Sequence, residues 1–202
     1  LFVATDRISA FDVVLSPVIP DKGRIRKQMS IFWFRHFGDI ENHLHETKFE
    51  RFPAEVQAHP ELRGRSMLVK KCEVVPVECV ARGYLTGSGI KDYNATGAVS
   101  GHPLPAGLVD GSKLPDVIYT PSTKAPIGQH DENISRDDAA EIVGSQTAKE
   151  LETLTLAIFE RASALAQAQG IILADTKFEY GRDGDGILRL ADEVLTPDSS
   201  RF

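Results

Sequence analysis

The stretch Leu173-Ala174-Asp175-Thr176-Lys177-Phe178-Glu179-Tyr180-Gly181 decides how this chain is read. Side chains alternate faces along a strand, so Asp175, Lys177 and Glu179 line one face while Thr176, Phe178 and Tyr180 line the other. A buried strand does not carry three charges on one face without reason, because each bare charge costs kilocalories to desolvate. The charged face is therefore expected to floor a wet cleft where the charges meet a ligand or a metal. Asp192-Glu193 follows after an apolar run. A carboxylate-rich hairpin of this kind can hold a divalent cation and the phosphates that travel with it.

Between the two lies Arg182-Asp183-Gly184-Asp185-Gly186, where two Asp-Gly turns compete. Two-residue hairpin loops favour that dipeptide. A turn at Asp183-Gly184 sets Asp175 opposite Asp192, and a turn at Asp185-Gly186 sets Glu179 opposite Asp192. Either register puts two carboxylates side by side, which is unfavourable without a cation. The alternative is a solvated strand face on which Lys177 neutralises a neighbour.

Upstream stands Val75-Pro76-Val77-Glu78-Cys79-Val80-Ala81-Arg82-Gly83-Tyr84-Leu85-Thr86-Gly87-Ser88-Gly89. A Gly turn with Ser at a helix start offers backbone N–H groups and a hydroxyl to an anion. Arg82 can add a bidentate phosphate contact. An ordinary helix cap beside a surface Arg is the plainer alternative. Gln129-His130-Asp131-Glu132-Asn133 reads either as a metal cluster or as a polar loop facing water. Lys124 is a candidate contact for an acidic substrate. Asp6-Arg7-Ile8-Ser9-Ala10-Phe11-Asp12 places polar groups at a strand end, where ligand sites often form, although turn chemistry explains them nearly as well.

The 202 residues can form one large domain or two small lobes. Hydrophobic content of 42% and charged content of 26% are those of an ordinary globular protein. A net charge of -6 argues against nonspecific nucleic-acid binding. No apolar run approaches the roughly 20 residues of a membrane span, and residues 1–6 show no signal-peptide features. Cys72 and Cys79 stand in a strand-like run with opposite facing, so no disulfide is expected and a reducing cytoplasm fits.

Strands are expected over 1–4, 12–15, 67–75 and 77–82, the last two split by Pro76, where the lobe hinge is placed. This gives an N-terminal lobe over 1–75 and a C-terminal lobe over 76–202. The pattern predicts a helix over 28–37 with Met29, Phe32 and Trp33 on one face. Residues 97–133 read as a long Pro- and Gly-rich loop with a short strand at 117–119. Ser135 and Asp138 have capping-box spacing. A helix over 147–169 follows, with Leu151, Leu154, Ile158, Ala162 and Leu165 as its buried stripe. Hairpins mixed with helices make the fold class α+β.

Taken together, these motifs closely resemble the SAICAR synthetase family of purine biosynthesis. The stretches 75–88 and 173–181 carry most of the weight. Asp6 through Asp12, His130-Asp131-Glu132-Asn133, and Asp192-Glu193 through Pro197-Asp198-Ser199-Ser200-Arg201 come in the expected order. The resemblance runs essentially the whole length. It implies a two-lobed α+β fold whose ATP-binding cleft is related to ATP-grasp enzymes and kinases. It also implies an ATP- and Mg²⁺-dependent ligase that joins L-aspartate to the carboxylate of an aminoimidazole carboxylate ribonucleotide (CAIR) through an acyl phosphate. By the same resemblance Glu179 and Asp192 hold Mg²⁺, and Lys177 binds the CAIR carboxylate or the developing acyl phosphate. Arg82, Ser88 and Arg201 grip the ribonucleotide phosphate, and Asp131 contacts base or ribose. Lys71, Glu73, Val75 and Glu78 contact adenine and ribose of ATP, with Asp192 also on the nucleotide side. Ser9 and Lys124 are candidates for aspartate. Asp175 has no role of its own in this scheme beyond holding Lys177 in place.

The resemblance further implies an N-terminal Gly- and Lys-bearing strand pair before Leu1 and helical residues after Phe202. The 202 residues are then expected to be an incomplete catalytic unit that folds yet binds ATP weakly. The expected partners are small molecules, not nucleic acid or membrane, in a monomer or small homo-oligomer. A kinase-like enzyme is the nearest competing class, but no His-Arg-Asp catalytic loop is visible. A noncatalytic nucleotide-binding domain would have little use for the Lys177, Glu179 and Asp192 set.

Overall fold

The computed structural model describes residues 1–10, 13–124 and 131–202. Phe11, Asp12, Gln129 and His130 of the motifs above lie outside the described residues. The chain divides into two compact units, Leu1–Val74 with Tyr180–Asp198 and Val75–Glu179 with Ser199–Phe202. The first boundary falls one residue from the expected hinge. The second falls inside the strand Asp175–Arg182, so the segment after Glu179 groups with the first unit until Asp198. The sequence reading had left all of 76–202 in one lobe.

The first unit holds a three-stranded antiparallel sheet with Ser66–Val69 between Phe2–Val3 and Leu44–Glu46. Its principal helix is Lys22–His36. The sequence pattern placed the start at 28, with Asp21-Lys22-Gly23 read as a turn. Asp21 in the left-handed conformation turns the chain into the helix, and Lys27 lies buried within it. The inner face is Gly23, Lys27, Ser30, Ile31 and Phe34, with Trp33 beside it. Phe32 was expected inward but is 53% exposed. Ser9–Ala10 pairs with Val13–Val14, so part of the supposed polar loop is strand.

The hairpin turn follows neither of the two alternatives. Asp183 N–H donates to Ile187 O (3.1 Å) and Gly186 N–H to Asp183 O (2.9 Å), which makes a three-residue loop. Gly186 takes φ +78°, the left-handed bulge position that such loops demand of glycine. The Asp183 carboxylate accepts from the Asp185 and Ile187 N–H groups and from Arg189, and its pKa lies below the ordinary value, chiefly through Arg189. An aspartate that caps its own turn and anchors a buried arginine outweighs the generic preference for a two-residue loop.

The second unit is built on the strand Val77–Tyr84, buried at every position but the last. Lys113–Tyr119 and Ser122–Thr123 pair with it antiparallel, and so does the run Asp175–Phe178. Ser200–Arg201 pairs in turn with Asp175–Thr176. The helix Ser145–Ala168 lies on this sheet through Leu151, Thr155, Ile158, Phe159 and Ala162. Leu154 and Leu165, expected in the stripe, are only half-buried. Both arms of the Ser135–Asp138 capping box form at the start of the helix Arg136–Val143. Antiparallel sheets with helices laid on them confirm the α+β class. Cys72 and Cys79 are both free.

Candidate active site

The three charges on the strand face are not equivalent. Asp175 is 2% exposed, whereas Lys177 and Glu179 are half-buried. Asp175 pairs in register with Arg82 on one side and Arg201 on the other. Its Oδ2 accepts from Arg82 Nη1 at 2.8 Å and from Arg201 Nη1. The expectation that Asp175 holds Lys177 is therefore corrected: it holds two arginines. Two guanidiniums in a largely buried place repel one another unless a shared anion compensates them. Removing one member of a buried ion pair leaves an uncompensated charge at about 3–5 kcal/mol.

Arg82, 3% exposed, is held on every side. Nε donates to Thr120 Oγ1 (2.9 Å), Nη2 to Ser88 Oγ (2.9 Å) and Nη1 weakly to Thr86 O (3.5 Å). Ser88 opens the helix Ser88–Thr96, whose first turn carries no side-chain cap. Gly89 N–H there donates to Thr86 O (3.1 Å), and the helix dipole favours an anion at this end. Gly87, just before, has φ +61° and ψ -127°, a backbone region reserved for glycine. A Cβ at Gly87 would lie 2.5 Å from Arg201 Nη2. The Arg201 side chain is 54% exposed, so one edge of its guanidinium holds Asp175 and the rest faces outward. Arg82, Ser88 and Arg201, separated by up to 119 positions in sequence, thus form one anion-facing group around Asp175.

A second group lies further along the strand. Lys177 stands opposite Val80, which brings Glu78 to the diagonal position, and Lys177 Nζ donates to Glu78 Oε1 at 2.8 Å. Burial pushes the Glu78 carboxyl above its ordinary value against the pull of Lys177, and a hydrogen bond shared with the Asp131 carboxyl pushes it further. Burial alone would lower the Lys177 ammonium. The Glu78 hydrogen bond and the charges of Glu78, Glu179 and Asp131 outweigh it, so Lys177 lies above its ordinary value and stays charged. Lys124 pairs with Glu179. Two lysines and three carboxylates thus share the open end of the face.

Thr120 and Asp92 escaped sequence reasoning, and Asn133 entered it only as part of the 129–133 motif. Asn133 Nδ2 donates to Asp92 Oδ2 (2.7 Å), and Ser88 Oγ lies 3.4 Å from Asn133 Oδ1. Asp92 stands one helical turn after Ser88, a spacing that would have linked them. Nothing in the sequence marks Thr120.

The remaining expected residues fall in both units. Val75 is buried in the second unit; Lys71 and Glu73 are exposed in the first, Glu73 opposite Arg182 at a strand edge. Ser9 is an exposed strand residue of the first unit, while Lys124 belongs to the second. Asp192, also in the first unit, takes φ +59°, an uncommon conformation for a residue with a Cβ. Arg26 grips the following Glu193 through two hydrogen bonds (3.0 and 2.6 Å), and Val194 N–H donates to Ser30 Oγ (3.2 Å). Next to Asp192 lies His43, 5% exposed, between the rings of Phe2 and Phe34. Burial pushes its pKa down to about 4 against a hydrogen bond to the Asp192 backbone.

A two-unit α+β enzyme that handles small anionic ligands is the class this fold and these side chains define. A model of the SAICAR synthetase family matches residues 1–202. The phosphoribosylaminoimidazole-succinocarboxamide synthase of Geobacter sulfurreducens is 55% identical over the whole chain and 69% of its own length. The Saccharomyces cerevisiae SAICAR synthase complexed with SAICAR superposes with a TM-score of 0.89 at 43% identity, over 99% of this chain and 68% of that one. A SAICAR synthetase in complex with ADP superposes at 0.77 with 26% identity, over 97% of this chain and 73% of that one. The chain belongs to the SAICAR synthetase family, the carbon–nitrogen ligases that join L-aspartate to CAIR in purine biosynthesis. It spans about two thirds of the length of these relatives.

Proposed function

We propose that Arg82, Ser88 and Arg201 grip the phosphate of CAIR and that Lys177 faces its carboxylate. The sharing of Asp175 by Arg82 and Arg201, with Arg82 also bonded to Ser88 at a helix start without a side-chain cap, carries this reading. Asp175 neutralises part of the arginine charge and fixes both forks, so the phosphate meets donors already oriented. Arg82 brings buried directionality, and the half-open Arg201 closes on the ligand. The yeast relative's complex with SAICAR supports an imidazole ribonucleotide as the ligand class.

A carboxylate is a poor electrophile towards an amine. Phosphorylating it with ATP creates an acyl phosphate, and the aspartate amine then displaces phosphate to form the amide. Lys177, kept charged by its carboxylate neighbours, stabilises the charge that develops as the CAIR carboxylate oxygen attacks the γ-phosphorus. Glu78 orients this ammonium. It therefore serves Lys177 in this reading and leaves the ATP set, which keeps Lys71, Glu73 and Val75. Asp131, beside Glu78, is left to contact base or ribose. Nucleotide use is supported by the ADP complex of the relative.

Glu179 and Asp192 remain the Mg²⁺ candidates. Among the described residues no group of three or more His, Cys, Asp or Glu is arranged to hold a metal. Mg²⁺ needs no such group, since it is usually held by one or two carboxylates together with substrate phosphates. Hard oxygen donors fit it, and the constrained backbone of Asp192 fits a residue placed for a task. Bound there, Mg²⁺ would neutralise the phosphates of ATP. Ser9 and Lys124 remain aspartate candidates, with Lys124 first released from Glu179. Among the described residues no helix is long and apolar enough to cross a membrane. The direct test is steady-state ADP release that requires CAIR and L-aspartate together; undiminished turnover without aspartate would contradict the reading.

A further inference from the structure

The geometry points to His43 as the positioning residue of Asp192. This rests on the reading that Asp192 serves the metal. His43 is stitched to the end of the strand Leu188–Ala191 twice. Its backbone N–H donates to Leu190 O at 3.0 Å, inside a local bridge between Asn42 and Leu190. Its ring then bonds the backbone of Asp192, two residues on. The other side of His43 is fixed as well, because its carbonyl accepts from Lys70 N–H at 2.7 Å.

The ring nitrogen that makes this bond is Nδ1. Nε2 is buried and has no hydrogen-bond partner. The ring is thus the tautomer with its proton on Nδ1, donating to the Asp192 carbonyl. Phe2 at 6.1 Å and Phe34 at 5.2 Å between ring centroids pack against the imidazole. A leucine would fill such an apolar slot without orphaning a nitrogen. The one thing histidine adds here is the N–H directed at Asp192.

Asp192 needs such a donor. Its φ of +59° persists only where the surroundings over-determine it. Downstream, Glu193 and Val194 are anchored to Arg26 and Ser30. Upstream, the anchor is His43. Held at both ends, the Asp192 backbone carries its carboxylate from a fixed point, as partners behind a metal ligand do elsewhere.

The test compares His43→Leu, which keeps the packing and loses the donor, with His43→Asn, whose amide N–H reproduces Nδ1–H. Mn²⁺ binding in the presence of ADP is read by electron paramagnetic resonance, with Asp192→Asn as reference. His43→Leu is expected to weaken Mn²⁺ about tenfold or more and His43→Asn less than about threefold. Native affinity in His43→Leu, or equal weakening in both variants, would overturn the inference and leave the metal assignment standing. Unchanged binding in Asp192→Asn would remove the metal role of Asp192 and this inference with it. Should His43→Leu not fold, His43→Met carries the same comparison.

Discussion

Asp175 and Lys177 stand two residues apart on one strand, yet the fold treats their charges in opposite ways. Asp175 is 2% exposed and shared between two arginines, in a network that also fixes Ser88 and Thr120. Lys177 is half-open, and its carboxylate neighbours include Glu78, Asp131 and Glu179. One end of the face is complete before any ligand arrives. The other is a set of charges that can exchange partners. The difference suits a reaction in which one part of the substrate must stay still while another changes charge. A phosphate that is only held needs rigid donors, and a carboxylate that becomes an acyl phosphate needs an ammonium free to follow it.

If the division is right, damage at the two ends should differ in kind. The largest effect is expected from Lys177→Met, with kcat down on the order of 10³-fold and KM for CAIR little changed, read by steady-state ADP release. A rise in KM alone would place Lys177 with the rigid group. Asp175→Ala should instead cost about 3 kcal/mol of unfolding free energy, measured by urea titration, because two arginines lose their common anion. It should weaken CAIR binding as well. Gly87→Ala forces a Cβ into the space of Arg201 and a backbone that disfavours it. It should raise KM for CAIR about tenfold by displacing that arginine, with kcat retained. Ser88→Ala removes one neutral donor and should cost about 1 kcal/mol of CAIR affinity by calorimetry.

The smallest expected effect is a pH dependence that is missing. The Lys177 pKa is raised above 10.5, so its contribution to stability is fully present below that value and lost only as pH rises through the folded pKa. No alkaline limb from Lys177 is expected in kcat between about pH 7 and 10. Glu78 is also raised, above 4.5, so the folded state holds its proton more tightly than the unfolded chain. Its burial favours folding in acid and opposes it as pH rises through the folded value. Glu78→Gln should therefore flatten the acid side of a plot of unfolding midpoint against pH.

Much of this was legible in the sequence because alternation is a strong signal. The strand with Asp175, Lys177 and Glu179, the helix start at Ser88 and the capping box at Ser135 form where the sequence pattern placed them. Pairing and tertiary support were not legible. No periodicity shows that Asp175 meets Arg82 and Arg201, since that depends on which strands lie side by side. The hairpin turn was misread because the Asp183 side chain, tied to Arg189, decides a loop that the Asp-Gly dipeptides left open. The start of the first helix was hidden because Asp21-Lys22-Gly23 resembles a turn, whereas Asp21 in the left-handed conformation leads directly into the helix, and because Lys27 lies buried. His43 carried no motif at all, and its place follows from its backbone bonds and the rings packed around it.

The most direct measurement of the central claim uses two ligands and one substitution. Calorimetry would compare CAIR with its phosphate-free ribonucleoside, each bound to the native protein and to Arg201→Met. The expected result is a loss of about tenfold or more for the nucleotide and no change for the nucleoside. Equal losses for both ligands, or none for either, would contradict a phosphate site built from Arg82, Ser88 and Arg201 on Asp175.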